Sequence, residues 1–192
     1  MKCSMAAVLG LVLLTAALVT TAEGSTLTQP QIEKALTDME SCIRTMCIPA
    51  NDASMSLGFA RDLRGHLAVT PNALDQWTLG RLDPIITLLA GKQLAAALAR
   101  TQATIAGLIR PAVLTRLKGL ETCVRTMCLP AGDATMGMST ITTIDTEMAR
   151  YPGAFGQFVI QRLNAAALLL KDKKIREGLA AIQATIAELP NP

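Results

Sequence analysis

The sequence predicts an all-α protein made of two tandem four-helix units, and three observations carry that expectation. From Pro30 onward the chain repeats itself without a gap, at the 81-residue offset that separates Cys42 from Cys123. Arg44-Thr45-Met46-Cys47 returns as Arg125-Thr126-Met127-Cys128, and Gln102-Ala103-Thr104-Ile105-Ala106 returns unchanged as Gln183-Ala184-Thr185-Ile186-Ala187. A fixed period of this kind marks a duplicated structural unit, with the boundary near Arg110. Strand formers are scarce, aromatic residues being 3% of the chain, and the apolar residues recur at helical rather than alternating steps.

In the first segment Ile32, Leu36, Met39, Ile43 and Met46 step by four and three, and Val113, Leu117, Leu120, Val124 and Met127 keep the same steps. That spacing lays them along one stripe of a helix. Pro30 and Pro111 suit a first helical turn, where no amide hydrogen is missed. Pro49 and Pro130 are expected to end the segment, because a residue before proline avoids helical geometry. Glu40 with Arg44, and Glu121 with Arg125, stand four apart on the expected outer face, acid first, an ion pair worth about 0.3–0.5 kcal/mol.

A second helix is expected to start at Asp52 and Asp133, whose short carboxylates can cap free amides. It runs through Met55, Phe59, Leu63 and Leu67, or Met136, Ile141, Ile144 and Met148. Pro71 and Pro152 open a third helix with Leu74, Trp77, Leu82 and Leu89, or Phe155, Phe158, Leu163 and Leu170. Pro84 falls inside it in the first copy only, which predicts a kink there. Trp77 aligns with Phe158 and reads as a core anchor, whose truncation costs about 3–5 kcal/mol when such a ring is fully buried. The fourth helix carries Leu94, Leu98, Thr101, Ile105 and Leu108, or Ile175, Leu179, Ile182, Ile186 and Leu189. Each unit, residues 30–110 and 111–192, is then a four-helix bundle with short loops.

Residues 1–22 have the parts of a secretory signal: Lys2, an apolar run from Ala6 to Val19, and small residues before a cut after Ala22. The run is shorter than the roughly 20 residues that span a bilayer. The mature chain is expected to begin at Glu23, with residues 23–29 a short linker, and the expected location is extracellular. Cleavage removes Cys3 and leaves Cys42, Cys47, Cys123 and Cys128. An even cysteine count in an exported chain predicts two disulfides. The spacing is wider than that of the usual zinc-ligand pair, so no metal is expected. If the first helix persists to Cys47, the two cysteines of each unit point about 140° apart, beyond the roughly 7 Å Cα separation that a bridge tolerates. That favours Cys42–Cys128 and Cys47–Cys123 slightly over the local pairs.

The 18 Lys and Arg, one of them Lys2, face 15 Asp and Glu. This balance implies no nucleic-acid partner. His66 is the only histidine and its counterpart is Glu147, so a nucleophile, base and orienting group cannot be assembled. Asp52 and Asp133 are the only acids that recur beside a motif, and helix capping accounts for them. Neither catalytic residues nor a cofactor are expected. The basic run Lys171-Asp172-Lys173-Lys174-Ile175-Arg176 reads as a solvated helix start. The expectation is therefore a secreted, non-enzymatic, disulfide-reinforced bundle that binds a small apolar ligand between its helices or presents a surface to a protein partner. A cavity of several hundred cubic ångströms would accompany the first. The alternative is a structural component of an extracellular matrix, secretion or coat, with a filled core and self-association.

Overall fold

The computed structural model of the chain describes residues 27–69 and 71–191, and every regular element among them is helical. The expected signal, residues 1–22, and the linker as far as residue 26 lie outside the described residues.

Helix α1 (Gln29–Cys42) begins after Thr28, whose amide donates to Gln31 Oε1 at 2.8 Å, and holds Pro30 in its first turn. It does not stop before Pro49. The helix widens into one π-helical turn (Ile43–Cys47) and tightens again as α2 (Ile48–Ala50), where Pro49 takes a first-turn position. The chain leaves the helix at Asn51, φ 50°, or at Gly132, φ 64°, in the second copy. Asparagine and glycine tolerate this left-handed backbone, so it ends the segment in place of the prolines.

Helices α3 (Ser54–Leu67) and α4 (Ala73–Ala90) follow, and α4 runs on through Pro84. The next helix, α5 (Leu94–Cys123), departs from expectation: the fourth segment of the first copy and the first segment of the second are one helix, with Pro111 in its interior. The described chain thus forms seven helical bodies where eight were expected. Leu108 and Ile109 are both buried, as are Ile105 and Val113 on either side. A loop between Gly107 and Pro111 would unpack two large aliphatic side chains, and their burial outweighs the roughly 3 kcal/mol of an interior proline. A second π turn (Val124–Cys128), α6 (Leu129–Ala131), α7 (Thr135–Met148), α8 (Ala154–Lys171) and α9 (Ile175–Ala187) complete the chain. Each begins 81 residues after its counterpart.

Equivalent contacts tie each copy's ends. Gln29 Nε2 donates to the Leu108 carbonyl at 3.2 Å, and at the same positions of the second copy Arg110 Nη2 donates to the Leu189 carbonyl at 3.5 Å. Helix α4 packs on α3 and α5, α8 on α7 and α9, and α1 on α5, around one continuous core. Trp77 is not at its centre. It is half-buried at the core's edge, with the Arg81 guanidinium 4.3 Å from its ring centroid, and Phe158 repeats this with Arg162 at 5.4 Å.

Candidate binding surface

The two π turns are where chemistry-bearing side chains gather. Their defining bond is that of the Ile48 amide to the Ile43 carbonyl, five residues back, and its counterpart from Leu129 to Val124. This geometry overturns the premise that separated the cysteines. Five residues are about one π turn, so Cys42 and Cys47 lie one above the other with Sγ atoms 3.9 Å apart. The helix neither ends early nor turns the thiols away from each other. The geometry thus favours the local partners over the cross-links Cys42–Cys128 and Cys47–Cys123, and all four side chains stand as thiols.

Cys47 Sγ lies 3.0 Å from the hydroxyl of fully buried Ser56. In the second copy that position is Gly137, where a Cβ would stand 2.9 Å from Val124 Cγ2 and 3.4 Å from Cys128 Sγ, so the space that Ser56 uses is filled. Burial pushes the Cys42 thiol above its ordinary pKa, against a lowering by Ser56, and burial followed by nearby Cys128 raises Cys123. Thiols held protonated in this way are poor nucleophiles and poor ligands. Among the described residues no three of His, Cys, Asp and Glu cluster as a metal site would require.

Around each turn the surface is apolar. Met46 on the π turn, Ile48 on α2 and Met55 at the start of α3 are exposed, although all three are large hydrophobic side chains. Met127 and Met136 repeat the pattern, with half-buried Leu129 in the place of Ile48. The periodicity that placed Met46 and Met127 on the core stripe fails here, because the π turn inserts a residue and rotates everything after Ile43. Asp52 Oδ1 accepts from the Ser54 amide at 2.9 Å and its hydroxyl at 2.6 Å, and Asp133 does the same for Thr135 at the same distances. These hydrogen bonds, the hydroxyl's first, hold both carboxyls below the usual range. They stand one residue before the cap positions, Ala53 and Ala134, and fix the turn that brings the second methionine of each copy to the surface.

The remaining sequence candidates disperse. His66 is exposed in the last turn of α3. The basic run spans the α8–α9 junction, exposed except for Ile175, beside an open cleft of about 360 Å3 that also reaches Leu129 and Gly132. A wider cleft of about 640 Å3 between α4 and α5 is open to solvent and lined by Pro84, Leu88, Arg100 and small side chains. A third space, between α1, α5 and the turn before α8, holds only about 20 Å3, room for about one water. None of these three is an enclosed, Leu-, Ile- and Met-lined cavity of the size a lipid-like ligand needs.

Glu40 proves to be no surface residue. It is 2% exposed, and it accepts from Gln102 Nε2 at 2.9 Å with Arg44 Nε at 3.4 Å. The copy keeps the arrangement, Gln183 Nε2 to Glu121 at 3.0 Å and Arg125 at 3.9 Å. Its identical partners left the inward turn of Glu40 invisible in the heptad. No described helix is long and apolar enough to cross a membrane. Comparisons with protein-family models, curated proteins and solved structures return no match to this chain.

Proposed function

We propose that this chain is a secreted, non-enzymatic helical binding protein that engages an apolar surface of an extracellular protein partner through its two methionine clusters. Met46, Ile48 and Met55, all exposed, and their counterparts Met127 and Met136, exposed beside half-buried Leu129, are the observation that carries this reading. Leaving unbranched thioethers in water forgoes the burial free energy that a core position would give. In return they offer an adaptable surface that repacks on contact. In this reading the units 30–110 and 111–192 are homologous copies, each stiffened by a disulfide once its thiols are oxidised on export, so that two equivalent apolar faces are held on one rigid body. The two larger clefts are open to solvent and the third space holds about one water, which favours this surface role over an internal ligand.

The test is photo-methionine incorporation in protein expressed with its natural secretion, followed by cross-linking. Cross-links from positions 46, 55, 127 and 136 to one partner species are expected. Loss of that partner in the fourfold Met46→Ser, Met55→Ser, Met127→Ser, Met136→Ser variant, with its helical content unchanged, supports the assignment. A partner retained by that variant refutes it. A lipid that co-purifies with both forms in native mass spectrometry would move the site into the helical interior.

A further inference from the structure

We propose that the groove between the second half of α5 and α9 receives the start of α4 from a second copy of this chain, so that copies join head to tail. The two copies of Gln-Ala-Thr-Ile-Ala are chemically identical, yet their surroundings differ. Ile105 and Ala106 are 5% and 4% exposed, whereas Ile186 is half-buried and Ala187 exposed. Glu40 is 2% exposed and Glu121, with the same glutamine and arginine partners, 21%. One thing separates them. Over the first groove lies the turn that precedes α8: Tyr151 donates to Glu33, Phe155 is buried against the groove, and Gly153 sits so close to Gln102 that a Cβ would be 3.2 Å away.

The second repeat thus covers the first, and none of the described residues covers the second. The complementary piece is left over at the other end. Pro71, Asn72 and Leu74 correspond to Pro152, Gly153 and Phe155, and here Pro71 and Asn72 are exposed and Leu74 half-buried, with Val69 beside them 70% exposed. A groove free at one end and its filler free at the other define a heterologous interface, which extends until geometry closes it. The exchanges at its edges agree: where the internal contact uses Glu33 and Arg150, the outer faces carry Leu114 and Val69, both apolar. Two features make the association weak. Asn72 in the place of Gly153 requires the exposed Gln183 side chain to turn aside. Strict repetition would also lay Leu27–Pro30 of the arriving copy on Leu189–Pro192, so the terminal residues must yield. The groove contains none of the exposed methionines, and the proposal stands apart from the partner reading.

Sedimentation velocity on the full chain tests it. The wild-type coefficient is expected to rise with concentration without levelling at the dimer. Ala187→Arg fills the groove at an exposed position, and Val69→Glu sets a carboxylate against Glu121. Each alone is expected to stay monomeric with an unchanged melting curve. Their equimolar mixture recovers dimers and stops there, because one copy still offers a groove and the other its α4 start. A wild-type chain monomeric at all concentrations overturns the proposal. So does Val69→Glu associating like the wild type, which would mean two-fold pairing of grooves, and so does a mixture that stays monomeric.

Discussion

Cys42 Sγ stands 3.9 Å from Cys47 Sγ across a single π-helical turn. The bond five residues back, in place of four, brings one thiol over the other, and the second copy repeats the turn residue for residue. Exchange with a small disulfide such as oxidised glutathione would pass two electrons and two protons from each pair and leave a local bridge. Trypsin cuts between the two cysteines of each copy, after Arg44 and Arg125. Unreduced exported protein is therefore expected to yield residues 35–44 joined to 45–61, and residues 119–125 joined to 126–150. Residues 35–44 joined to 126–150 would restore the cross-linked pairing.

Glu40 and Glu121 offer a matched pair of substitutions at equivalent positions. Glu40→Ala leaves the half-buried Gln102 amide without its acceptor, and an unsatisfied polar group screened from water costs about 1–3 kcal/mol. Glu121→Ala leaves Gln183 free to meet water and is expected to cost less than about 1 kcal/mol. Equal losses in denaturant titrations would refute the burial difference between the two grooves.

Trp77→Ala is expected to cost about 2 kcal/mol, below the range for a fully buried ring, because the indole is half-exposed and part of its worth is the Arg81 contact. A melting temperature lower by about 4–8 °C is the corresponding reading for a chain of this size. A loss within one degree would show that the ring packs on nothing.

Asp145 and the turn aspartates are expected to respond to pH with opposite signs. Hydrogen bonds lower Asp52 and Asp133, so their stabilisation is present above the ordinary aspartate pKa and fades as pH falls through the depressed folded values. Burial raises Asp145, one of whose oxygens has no partner, so its charged form destabilises the fold at neutral pH and the penalty fades as pH falls through the raised value. Asp145→Asn is therefore expected to raise the melting temperature at pH 7 and to lose that advantage near pH 4. Asp133→Asn is expected to lower it at pH 7. The same sign for both in thermal melts at pH 7 would contradict this.

The sequence by itself determined the helical class and the 81-residue register, because both reside in local periodicity and in residues that recur by identity. Ile32 and Leu36 entered the core with Val113 and Leu117, as their spacing required. Tertiary structure decided what local pattern cannot carry. The burial of Leu108 and Ile109 fused two segments into α5 across Pro111. The single added residue of each π turn aligned the cysteines and turned Met46 and Met127 outward, and the turn before α8 closed over Glu40. Periodicity assumes a constant helical pitch, and one wide turn shifts every side chain beyond it. Identical residues in the two copies also came to differ in burial, because what covers Ile105 and Ala106 is the turn before α8, a contact between segments far apart in the chain.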